Sequence, residues 1–167
     1  MIKIYHLNTD KIDKVTDNKT ITDLYDQLSH TNVSYENSRR YFLRRPQTVE
    51  EKTQSLLSNK AHGLEHSVAP IAKAAEELRQ LDFYTLVAEV KTTKLFEAVL
   101  TTTNQDEDRW TDYTDKTLHV SDDIKNETVV RSTTTYDLLE LDNRFYLLLP
   151  IGFIDIEKQK YIEKNPV

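Results

Sequence analysis

The sequence predicts an α+β fold: a helical N-terminal half after an initial strand, then a small antiparallel sheet with a C-terminal hairpin. Three observations predict it. Apolar residues spaced three or four apart mark the first half, where Leu64, Val68, Ile71, Ala75 and Leu78 share one face of a helix over residues 61–80. Runs rich in β-formers mark the second half, as in FYTLVAEV over 83–90. Finally, the apolar stretches 138–141 and 144–149 flank Asp142-Asn143, two residues that tolerate positive φ and so read as a tight hairpin turn.

Each element has a local justification. Ile2, Ile4 and His6 alternate with Lys3, Tyr5 and Leu7, which predicts an opening strand partly covered on both faces. Thr20 stands three residues ahead of Asp23, with Leu24, Tyr25 and Leu28 following, and predicts a capped short helix ending near His30. Thr48-Val49-Glu50-Glu51 supplies a second helix start ahead of Leu56 and Leu57. Pro70 is expected to kink or divide the helix over 61–80. A short helix over 94–100 (KLFEAVL) leads into an acidic loop, and 153–156 returns as a last short strand after Pro150 and Gly152 end the hairpin. The texture changes near residue 81, dividing the chain into a helical segment, 1–81, and an acidic α+β segment, 82–167, within one compact domain.

Composition narrows the chemistry. A chain of 167 residues holds one domain of ordinary size. It has only 2 Gly, Gly63 and Gly152, so a P-loop, a dinucleotide-binding fingerprint and a G-x-S-x-G nucleophile elbow are all absent. With 0 Cys there is no thiol nucleophile, disulfide framework or cysteine-based zinc site. No apolar run is long enough for a signal peptide core or a membrane span, so a soluble protein is expected.

The net charge of −6 is unevenly placed. Residues 1–81 carry 12 Lys+Arg against 11 Asp+Glu, and residues 82–167 carry 10 against 17. Within 105–127, Asp106, Glu107, Asp108, Asp112, Asp115, Asp122, Asp123 and Glu127 face only Arg109, Lys116 and Lys125. Such a stretch repels nucleic acid and attracts basic protein surfaces. Asp106, Glu107, Asp108, Trp110, Asp112, Asp122 and Asp123 are therefore the candidate partner-binding residues, with Trp110 either an aromatic anchor in an acidic rim or an anchor in the core. Opposing this trend, Arg39, Arg40, Arg44 and Arg45 bracket Tyr41, Phe42 and Leu43, a cluster that could meet phosphates or pair with internal acids.

One segment has metal chemistry. His62-Gly63-Leu64-Glu65-His66 places two imidazoles at i and i+4, on one helical face, where both can hold one divalent ion. It also spells H-x-x-E-H, in which Glu65 would polarise water in a zinc hydrolase. The chain is short for that family and no third ligand can be placed, so a structural zinc on His62 and His66 is preferred, completed from His6, His30, His119 or Asp82. The alternative is two solvent-exposed histidines.

The order FYTLVAEV, KLFEAVLTTTN, Trp110, RSTTTYDLLEL and DNRFYLLLPIGFIDI resembles the YodL-like accessory proteins of phages, plasmids and conjugative elements. Arg131-Ser132-Thr133, Asp137 and Gly152-Phe153 match that pattern, and Tyr136 stands where it has Gly. The resemblance covers residues 83–156 and implies a mobile-element setting in the cytoplasm of a bacterial host. By context it implies an anti-defence role of the anti-CRISPR type. The expected function is a non-enzymatic inhibitor that contacts a basic effector such as Cas9 through its acidic surface, without binding nucleic acid or membrane. The alternative is a small zinc-dependent hydrolase using His62, Glu65 and His66.

Overall fold

The computed structural model describes residues 1–28 and 68–163, except Asp106, Thr114, Lys125, Thr128 and Ile151. The expected α+β class is observed, but the sheet is not small: seven antiparallel strands run in the order β3-β2-β1-β4-β5-β6-β7. These are β1 (Ile2–Leu7), β2 (Tyr84–Val90), β3 (Leu118–Val120), β4 (Leu138–Leu141), β5 (Arg144–Leu149), β6 (Gly152–Asp155) and β7 (Lys160–Ile162). The described α-helices are α1 (Thr9–Asp13), α2 (residues 19–28), α3 (Val68–Gln80) and α4 (Leu95–Thr101), and two single 3-10 turns, Trp110–Asp112 and Asp122–Ile124, lie in the acidic excursion.

β1 is paired on both sides, with Ile2 opposite Val90 of β2 and Leu141 of β4. A strand from the first half thus lies inside a sheet built by the second, and the change of texture near residue 81 is not a break in the sheet. Alternation along β1 serves two cores. Leu7 joins Ile21, Leu28, Ile71, Leu78, Leu138 and Ile154 under α2 and α3. Ile2 and Ile4 join Ala88, Leu95, Ala98, Trp110, Leu139 and Phe153 on the other face, beneath α4. The register slips between Ile4 and Tyr5, whose partners are Ala88 and Leu86, so Val87 is the extra residue of a β-bulge. Its carbonyl accepts from Ser121 N–H at 2.9 Å and ties the acidic excursion to the sheet.

The hairpin forms where expected. Asp142 and Asn143 have φ of 52° and 60°, the two left-handed residues of a type I′ turn. Gly152 has φ of 100°, and a Cβ there would lie 2.5 Å from the Ile162 carbonyl, so strand β6 can approach β7 this closely only with glycine. Pro70 is the third residue of α3, and the described span continues unbroken from it to Gln80, so the expected kink or division is not seen there. β3 and β7 have 3 residues each, too short to announce themselves in sequence. Helix starts predicted at Thr48 and before Val68 lie outside the described residues. No described helix is long and apolar enough to cross a membrane.

Candidate functional site

The polar centre of the molecule is Asp137, which is fully buried at the turn into β4. Its Oδ1 accepts from Leu7 N–H at 2.9 Å and from Arg131 Nη2 at 2.7 Å. Its Oδ2 accepts from Arg131 Nη1 at 2.6 Å and Thr134 N–H at 2.8 Å. Arg131 also donates to the carbonyls of Leu7, at 3.1 Å, and Ser132, at 3.0 Å. A bidentate pair between a partly exposed guanidinium and a wholly buried carboxylate, with both carboxylate oxygens satisfied, clamps the end of β1 to the β4 turn.

The neighbouring residues of the R-S-T element hold other parts. Ser132 Oγ accepts from Asn104 N–H at 2.8 Å, Thr133 N–H donates to Thr102 O at 2.9 Å, and Trp110 Nε1 donates to Arg131 O at 2.9 Å. Asn104 Oδ1 in turn accepts from Trp110 N–H at 2.9 Å. Arg131, Ser132 and Thr133 therefore fasten β1, the residues after α4 and the Trp110 turn around one point. Tyr136 takes the left-handed conformation at φ of 76°, the backbone state for which glycine is usual, while its ring is buried and its carbonyl accepts from Tyr84 Oη at 2.9 Å.

His6 lies against this clamp. Its Nε2 is 3.0 Å from Thr133 Oγ1 and 3.8 Å from Asp137 Oδ2, and its ring meets Trp110 edge-on with centroids 6.3 Å apart. Burial, opposed by Asp137 and aided by Arg131, pushes its pKa down to about 4, so the ring is neutral at pH 7. It borders a polar cleft of about 380 Å³ with Asn8, Asp10, Glu127 and Arg131.

A second surface lies at α4, over the core that holds Trp110. Helix α4 turns Leu95 and Ala98 into the core, yet Phe96 is 56% exposed and Leu100 50% exposed on its outer side. Phe96 and Val99 line an apolar cleft of about 630 Å³ completed by Leu148, Pro150 and Phe153. On the other flank, Leu100 shares a shallow depression with Gln105, Tyr113 and Asp115, where the acidic excursion begins.

The expected partner-binding residues divide. Glu107, Asp108, Asp112, Asp122 and Asp123 are exposed. Trp110 corrects the reading: it is wholly buried, with both N–H groups satisfied internally, so it anchors the excursion to the core and cannot anchor a partner. Asp106 lies outside the described residues, as do His62, Glu65 and His66, the expected zinc ligands, and the cluster Arg39, Arg40, Arg44 and Arg45. Among the described residues no group of three or more His, Asp or Glu is arranged to hold a metal. Of the proposed completing ligands, Asp82 is exposed and 3.6 Å from Lys11 Nζ, whereas His6 is bonded to Thr133. Sequence reasoning missed Phe96 and Leu100, although their i, i+4 spacing opposite Leu95 and Ala98 carried the signal of a helix apolar on two sides. No family model, curated protein or solved structure matches the chain.

Proposed function

We propose that this chain is a non-enzymatic binding protein that docks the outer side of α4 and the apolar cleft beside it onto a protein partner, with the acidic excursion as the rim. The observation that carries this reading is the exposure of Phe96 and Leu100 on a helix whose inner face is already filled by Leu95 and Ala98. Apolar area left in water beside a concave apolar cleft gains free energy when a partner covers it, at roughly 25 cal/mol per Å². Beside this centre Asp115 shares a depression with Leu100, and Glu107, Asp108 and Asp112 are exposed on the same excursion, which buried Trp110 holds. An apolar centre with a charged rim is the anatomy of a specific interface, and the sign of the rim selects a basic partner.

The resemblance of residues 83–156 to accessory proteins of phages and conjugative elements directs the search to bacterial defence effectors with basic nucleic-acid channels, of which Cas9 is the first to test. The test is binding of the purified chain to such an effector, together with inhibition of its DNA cleavage. Phe96→Glu with Leu100→Glu is expected to abolish both, and Glu107→Lys with Asp108→Lys to slow association and reduce its salt dependence. Undiminished binding by the Phe96/Leu100 variant refutes the α4 surface.

A further inference from the structure

The cleft at the end of β1 is separate from the α4 surface and carries an inference that does not depend on a protein partner. It begins with one proton chain. Thr102 Oγ1 lies 3.0 Å from Ala98 O and 3.3 Å from Val99 O, acceptors that can only receive its single proton. Thr133 Oγ1, 2.7 Å from Thr102 Oγ1, must then donate to it. With that proton committed, Thr133 can only accept from His6 Nε2 at 3.0 Å. A neutral imidazole has one N–H, so Nδ1 of His6 is a bare acceptor. The His6 side chain is only 8% exposed, it borders the cleft, and Nδ1 has no partner among the described residues.

The charge around the cleft indicates what could satisfy that acceptor. The guanidinium of Arg131 is balanced by Asp137 and both of its Nη atoms are engaged. The carboxylates of Asp10 and Glu127 border the same cleft and are exposed, so they set its net sign as negative. Val87, Ile124 and Val130 provide aliphatic walls. Acceptors and negative charge over aliphatic walls suit a donor-rich cation on a short hydrocarbon stem.

We propose that this cleft binds a guanidinium or alkylammonium group, which donates to His6 Nδ1, directs its charge toward Asp10 and Glu127, and lays its stem against Val87, Ile124 and Val130. The same chemistry is offered by a free amine and by an arginine side chain of another protein.

The test is a titration of the full chain, carrying ¹⁵N-histidine, at pH 7.5 with agmatine and separately with N-acetylarginine N-methylamide. The His6 resonances are assigned by their loss in His6→Gln. The expected result is a bare Nδ1 at the start and a saturable shift of that resonance, absent at His119. In Asp10→Asn with Glu127→Gln, the apparent Kd is expected to rise at least tenfold while the free-state His6 resonances stay in place, showing an intact fold. A response to agmatine alone assigns the cleft to free amines, and a response to both probes means that it admits arginine side chains. A proton on Nδ1 in the free protein overturns the proposal at its first step. A lack of saturable shift with either probe, or an unchanged Kd in the double variant, overturns it as well.

Discussion

Lowering the pH from 7.5 to 5 should destabilise the protein through His6 alone by about 2 kcal/mol, because burial opposes the charged imidazole in the folded state. Its folded pKa is about 4, against 6.5 when unfolded, because burial outweighs the attraction of Asp137 while Arg131 adds repulsion. The sign follows from proton counts. Between pH 6.5 and 4 the unfolded chain binds a proton at this residue and the folded chain does not, so acid favours unfolding. The contribution is fully present above about 6.5, falls by up to about 1.4 kcal/mol per pH unit through the window, and is spent below about 4, where both states are protonated.

The groups facing His6 are Asp137, Arg131, Thr133 and Trp110; the last three do not titrate in that window, and Asp137 is present both in the protein and in His6→Gln. Urea denaturation of the protein and of His6→Gln at pH 7.5, 6, 5 and 4.5 isolates the effect, since carboxylates elsewhere titrate equally in both. The difference between the two stabilities should shrink or reverse by about 2 kcal/mol between pH 7.5 and 5. A difference that stays constant with pH would mean that His6 has the same pKa in the folded and unfolded chain, and would refute the effect of burial on the ring.

Other perturbations follow from the same geometry. Arg131→Ala leaves the Asp137 carboxylate buried without a counter-charge and is expected to cost about 3–5 kcal/mol in chemical denaturation, with little rescue by Arg131→Lys, which cannot reproduce the two-pronged contact. Trp110→Ala removes a wholly buried indole and should cost about 3–5 kcal/mol, where a surface anchor would cost almost nothing; thermal melting separates the two. Gly152→Ala should destabilise measurably in the same assay, since its Cβ would meet the Ile162 carbonyl at 2.5 Å and φ is 100°. Asn143→Gly should stabilise by a few tenths of a kcal/mol or more, because the second position of a type I′ turn prefers glycine; a loss of stability would contradict the turn assignment.

The sequence was legible where structure is local. Asp142-Asn143 between two apolar runs specifies its turn by backbone sterics alone, and the apolar spacing of Ile71, Ala75 and Leu78 specifies a helix face without knowing what covers it. Charge is additive along a chain, so the acidic excursion was visible by counting, and its exposed members Glu107, Asp108, Asp112, Asp122 and Asp123 stand in water. Side-chain fate is not additive. Trp110 beside five acids reads as either a surface anchor or a core anchor, and the tertiary structure decides for the core, where Asn104 and Arg131, six and twenty-one residues away, satisfy its two N–H groups.

What the sequence determined by itself was the class of fold, the turn and the location of charge, all set by short-range sterics and composition. Tertiary structure alone decided that β1 would sit between β2 and β4, because strand pairing joins residues 77–88 positions apart for β2 and 133–139 apart for β4. That pairing brings Leu7 to Asp137 and His6 to Thr133, turns the R-S-T element into a clamp, and leaves Phe96 and Leu100 facing outward. The physical reason is that burial and hydrogen-bond satisfaction belong to the assembled cores, and the same side chain is a surface group or a keystone according to what the distant chain places against it.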